Sequence, residues 1–210
     1  MTASSLLHDG ITLFRNGLDG YPFYRIPSLL AINASLLLAF AEGRGQRTDH
    51  GRVDIVLKRS VDGGASWSPL SVVHSAGARG GTIGNPAPLY DDELVLFFCH
   101  ENLEILSMRS SDFGTSWSIP LPISWSRPPS WEWVASGPPA ALVTSSGAWV
   151  LPCDGLIGSK QLWSALEPAR SPLIAHSQPT HCPLSGHSFA TWLFSYRRGH
   201  LRLLLCAPLT

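Results

Sequence analysis

The sequence predicts an all-β fold assembled from repeated antiparallel four-stranded units, and three observations carry that expectation. Apolar runs of strand length recur between clusters of Gly, Pro, Asp and Ser. No segment keeps a 3.6-residue apolar period over three turns. A nine-residue pattern occurs twice at an offset of 50 residues, from Ser60 to Ser110, which is about the length of one propeller blade.

Strands are expected at residues 35–41 and at 52–59, where Val53, Ile55 and Leu57 alternate with Asp54 and Lys58. Further strands are expected at 93–98, 105–109 and 147–152. With 17 Pro and 19 Gly beside 8 Trp, the composition favours many turns and short strands over long helices. The repeated pattern reads Ser60-Val61-Asp62-Gly63-Gly64-Ala65-Ser66-Trp67-Ser68 and Ser110-Ser111-Asp112-Phe113-Gly114-Thr115-Ser116-Trp117-Ser118. It is a tight hairpin turn: the Asp carboxylate accepts N–H groups of its own turn, Gly tolerates a positive φ, and Trp covers the turn.

Hydrophobic content of 44% against 14% charged residues is a globular balance, with one domain of sizeable core. A net charge of zero gives no basic patch for nucleic acid or an anionic membrane. No apolar stretch is long enough for a transmembrane helix. The start of the chain shows no signal peptide, and the compartment and oligomeric state are left open. Four cysteines without a CxxC pair argue against structural zinc, and Cys99 after an apolar run reads as a buried thiol.

From about residue 161 the texture changes. Prolines stand at 168, 172, 179, 183 and 208, Glu167 is the lone acid, and no third copy of the repeat appears near 160. Residues 11–160 are therefore expected to form the repeated fold. Residues 161–210 are expected to be an atypical, poorly ordered tail, arising from read-through or from local divergence. His176, His181, Cys182 and His187 in that tail match no standard zinc spacing, so neither metal nor cofactor is expected.

Tyr24-Arg25-Ile26-Pro27 lies upstream of Ala39-Phe40-Ala41-Glu42-Gly43-Arg44, and Asp49 stands 11 residues before the first repeat. With the two turns, this order resembles the N-terminal half of the sialidase (neuraminidase) family, whose Asp-box or BNR repeats have the form S-x-D-x-G-x-x-W. Gly84-Asn85-Pro86 and Ser136-Gly137-Pro138 resemble family segments more loosely. The likeness covers about residues 11–155. It implies a six-bladed β-propeller, of which this chain supplies about three blades. The structural Asp-box residues are then Ser60, Asp62, Gly64 and Trp67, and Ser110, Asp112, Gly114 and Trp117.

The resemblance also implies roles and a substrate, terminal sialic acid on a glycan. Arg25 would be the first of three carboxylate-binding arginines, because a guanidinium fork matches a carboxylate. Arg44 would line the pocket near the sugar's 4-position, with Arg47 of the same loop as competitor. Asp49 would be the acid/base that protonates the departing oxygen, with Asp54 as the poorer alternative. Asn85 would hydrogen-bond the sugar or simply start a turn. Trp131 and Trp133, flanking Glu132, would wall a pocket or pack in the core, and Glu101 and Glu104 have no assigned place. The family's nucleophile is a Tyr paired with a Glu, in later blades with the other two arginines. Tyr196 does not match that motif. The expectation is an exo-α-sialidase, a retaining glycosidase, incomplete as this chain; the alternative is a non-catalytic glycan-binding or structural propeller fragment.

Overall fold

The computed structural model describes residues 10–49, 51–77, 81–124, 129–137 and 139–157, together with the backbone of strands at 160–166, 192–197 and 200–205. Among the described residues every regular element is a β-strand. The first sheet is β2 (Phe23–Ala31), β3 (Leu37–Arg44), β4 (Val53–Ser60) and β5 (Ser71–Ser75), in that spatial order. The second repeats it with β6 (Ile83–Asp91), β7 (Glu93–His100), β8 (Glu104–Ser110) and β9 (Leu121–Pro122). In the third, β10 (Trp133–Ser136) and β11 (Leu142–Val143) both pair with β12 (Trp149–Ile157), which pairs with β13 (Lys160–Leu166). All these pairings are antiparallel, so the fold is a partial all-β propeller.

The middle strands read as continuous apolar runs because both faces of each sheet are covered. On β3, Leu38 and Phe40 face the second sheet and join Ile55, Leu57, Leu94, Leu96 and Phe98 in one core. Ala39 and Ala41 face the other way, into a core with Phe14, Tyr21 and Tyr24. On β7 the alternate residues Val95, Phe97 and Cys99 pack on Trp131, Trp149 and Leu151 of the third unit. Cys99 is buried as expected, and burial pushes its thiol up to about 12.

The innermost strands β2 and β6 carry prolines and were not read from the sequence. Each has a bulge: register shifts between Arg25 and Ser28, and between Gly84 and Ala87. The bulge residues Ile26 (φ 49°) and Asn85 (φ 57°) are left-handed, and each precedes a proline. Gly137 (φ 59°), before Pro138, marks the same point in the third unit, where it separates β10 from β11. A proline that cannot donate is tolerated where the ladder is already broken.

Strands also occur beyond residue 160, where alternation was expected to stop. Besides β13, β14 (Trp192–Arg197) pairs with β15 (His200–Leu205), and β15 pairs with β1 (Ile11–Arg15). The five prolines of that stretch all fall outside these strands, and the Leu- and Trp-bearing runs between them suit strand pairing without strict alternation. The expected division at 160/161 falls beside the start of β13. The expected poor order of 161–210 concerns mostly residues outside those described, as do His176, His181, Cys182 and His187. Tyr196 lies in β14, with only its backbone described.

Candidate active site

Each Asp-box lies between the third and fourth strands of its sheet, and the two copies are built alike. Ser60 Oγ donates to Asp62 (2.8 Å) and accepts the Gly64 N–H (2.8 Å); Asp62 also accepts the Ser66 N–H (2.8 Å) and Oγ (2.5 Å). Ser110, Asp112, Gly114 and Ser116 repeat the set at 2.8, 2.7, 2.8 and 2.7 Å. Gly64 and Gly114 have φ of 94° and 83°. Trp67 donates to the Gly64 carbonyl at 3.0 Å, while Trp117 sets its ring edge on Phe40.

The opposite end of the first sheet collects the charged residues. Arg44 ends β3 opposite Val53, whereas the Asp-box begins where Leu37 pairs with Ser60. Seven residues at 3.3 Å each put roughly 20 Å between them. Arg25 lies near the start of β2, paired with Glu42, and Asp49 lies in the loop between β3 and β4. One oxygen of Asp49 accepts from Arg25 at 2.5 Å and from Arg44 at 2.7 Å. The three candidates therefore meet at one point.

Two of the three are anchored differently. The Arg44 side chain is 4% exposed, against 43% for Arg25 and 66% for Asp49. Arg44 is held from behind by Glu42, which accepts from its Nε at 2.6 Å and bonds its terminal nitrogen, while Arg44 Nη1 also donates to the Thr48 carbonyl at 2.9 Å. The other Glu42 oxygen accepts the Asn85 N–H of the next sheet at 2.8 Å. Glu42 is 1% exposed. A Cβ on Gly84 would collide with its carboxylate, so glycine there is a condition of the approach.

The electrostatics follow. The hydrogen bond from Arg44, with Arg25 nearby, holds the Asp49 carboxyl below the usual carboxylate range despite slight burial. Burial pushes Glu42 up, against the pull of Arg44, the Asn85 N–H and Arg25. Burial alone would lower Arg44, but Glu42 and Asp49 outweigh it and the guanidinium stays charged.

Asn85 enters through its backbone: its N–H binds Glu42 and its carbonyl accepts Ser136 Oγ at 3.0 Å. Arg47 lies with its guanidinium 5.2 Å from the centre of the Phe23 ring. Asp54 is committed elsewhere, accepting from Tyr21 Oη at 2.7 Å, Ser75 Oγ at 2.6 Å and Arg52 at 3.1 Å. Trp131 is buried over Gly155, with Trp133 packed against the same core. Glu132 is exposed, Glu101 accepts the Thr82 N–H at 2.6 Å, and Glu104 faces His100 at 3.8 Å. Glu42 and Gly84 were missed as site residues. The available signal was a lone acid ending a buried apolar run, two residues and so one face from Arg44. No group of three or more His, Cys, Asp or Glu among the described residues is placed to hold a metal ion. Nor is any helix among them long and apolar enough to cross a membrane.

Asp-box turns at one end and the Arg25–Asp49–Arg44 cluster at the other define a partial β-propeller with a charged face away from the turns. The profile of the BNR repeat-like domain matches residues 35–193. The chain belongs to the sialidase BNR-repeat family. It is 37% identical to Sialidase-2 of Mus musculus over 130 residues, 51% of this chain and 34% of the relative. It is 29% identical to the exo-alpha-sialidase of Aspergillus fumigatus over 173 residues, 65% of this chain and 42% of that protein. Sialidase-3 of Homo sapiens shares 32% identity over 67% of this chain and 39% of its own length. The Hadza microbial sialidase Hz136 superposes with a TM-score of 0.69 at 22% identity, covering 78% of this chain and 38% of that one. Trypanosoma rangeli sialidase, solved with a 2,3-difluoro-KDN ligand, gives 0.57 at 18% identity over 69% and 28% of the two chains. The chain thus spans between about a third and about two fifths of the length of these curated relatives.

Proposed function

We propose that this chain carries the first part of an exo-α-sialidase site acting on sialylated glycans. The supporting observation is the meeting of Arg25, Arg44 and Asp49 on the face away from the Asp-boxes. In this reading Arg25 takes the sugar's carboxylate through its planar fork. Arg44, fixed by Glu42, lines the pocket behind it, and the Asn85 turn closes its floor. Asp49 gives a proton to the departing glycosidic oxygen and later takes one from water. In the family, a Tyr nucleophile with its Glu and two further arginines supply the rest of such a site from later blades.

The ionised state of Asp49 favours a second reading, a glycan-binding module without turnover, because a carboxylate held by two guanidinium groups has no proton to give. Hydrolysis of a fluorogenic sialoside by the purified chain separates the two. Feeble turnover that Asp49→Ala abolishes, with sialic-acid binding lost in Arg25→Ala, is the expected result. Binding with no turnover at all selects the second reading. Turnover of about 1–1,000 per second, the range of complete enzymes, would show that the site needs nothing more. Binding untouched by Arg25→Ala would remove the site altogether.

A further inference from the structure

We propose that the Asp49 carboxylate is the resting occupant of the anion position between Arg25 and Arg44, and that a carboxylate ligand enters by displacing it. This rests on the reading of the site given above and adds how that site opens.

One Asp49 oxygen takes both charge-assisted bonds, at 2.5 and 2.7 Å. A ligand carboxylate would offer the two guanidinium groups the same charge and the same kind of acceptor. The two sides of the contact are unequal. Arg44 is 4% exposed and tied to Glu42, whereas Asp49 is 66% exposed on a loop whose residues 45–49 are all exposed. The cation is fixed and the anion is replaceable. Charge count points the same way. Arg25 and Arg44 already face Glu42 and Asp49, so a ligand added beside Asp49 would set three negative charges against two positive ones. Exchange avoids that repulsion. Once released from Arg44, Asp49 loses the hydrogen bond that does most to hold its carboxyl below the usual carboxylate range.

The test titrates the 210-residue chain, Asp49→Asn, Asp49→Ala and Arg25→Ala with sodium acetate, with sialic acid and with sialic acid methyl ester. Side-chain NMR reads binding into the millimolar range. Removing a competing occupant raises apparent affinity by the reciprocal of the fraction of time the site stands free. Both Asp49 variants should bind acetate and sialic acid roughly three- to tenfold more tightly than the parent chain. The uncharged ester should not change, and Arg25→Ala should weaken both acids. Acetate binding that fails to tighten in the Asp49 variants, or that is absent throughout, overturns the displacement. Tightened acetate binding without sialic-acid binding keeps the displacement and overturns the sugar reading. Sialic acid bound equally by parent and Asp49 variants, with loss in Arg25→Ala, keeps the site and overturns the displacement.

Discussion

Glu42 shows how much one side chain carries. Its two oxygens join β3 to the Asn85 turn of the next sheet and brace Arg44 from behind. Removing one partner of a buried ion pair costs about 3–5 kcal/mol, and here Arg44 would keep only its exposed partner Asp49 and the Thr48 carbonyl. Glu42→Ala should therefore destabilise the chain by about 3 kcal/mol or more, since it also orphans the Asn85 N–H. Glu42→Gln keeps an acceptor and the shape, and should cost less. Urea unfolding with Trp fluorescence checks this; equal midpoints for Glu42→Ala and the parent would show that the pair contributes nothing. Arg25, Arg44 and Asp49 were legible because their residue types and order matched a motif. Glu42 was not, because a buried acid is recognised only once its cation and its N–H donor are seen beside it.

The Asp-box turns titrate in a defined window. Bonds from Ser66 Oγ and N–H, and from Ser60, hold Asp62 at about 2; the Ser116 N–H and Oγ lead the same effect on Asp112, also at about 2. An unfolded Asp titrates near 3.9. Folded pKa values below the unfolded one mean that the unfolded chain takes protons first as pH falls. The stabilisation is complete above about pH 4 and is lost on acidification toward pH 2. Carboxyl NMR should place both groups near 2, and Asp62→Asn with Asp112→Asn should flatten the stability slope in that interval. An unchanged slope would assign acid unfolding to other groups. At this scale the middle strands and the Asp-box turns were readable, since two-faced burial leaves an apolar run and the turns repeat. The innermost strands were not. Pro27, Pro86 and Pro88 argue against a strand in sequence; the bulge explains the place of Pro27 and Pro86, while Pro88 stands in the paired stretch opposite Leu96.

Across the molecule, the sheets cohere through the cores between them. Phe40, Leu57, Leu96 and Phe98 are fully buried where the first two sheets meet. Phe98→Ala should cost about 3–5 kcal/mol. Because the cavity belongs to both sheets, Trp67 and Trp117 should report one shared transition moved to lower denaturant. Two separated transitions would show that the sheets fold independently. The propeller architecture was legible from the 50-residue offset taken with the strand-length apolar runs and the Tyr24-Arg25-Ile26-Pro27 motif upstream. The pairing of β1 with β15 was not, because a contact between the first and last strands leaves no local pattern in either one.

The left-handed residue ahead of proline recurs in each of the three four-stranded sheets, yet the residue before it is Arg25, then Gly84, then Ser136. The first brings a charge, the second leaves room for Glu42, and the third donates a hydroxyl to the Asn85 carbonyl. A repeated backbone device therefore serves as a socket into which each repeat plugs a different chemistry. The division of labour among the blades is written at a single position per repeat, with the scaffold around it held constant.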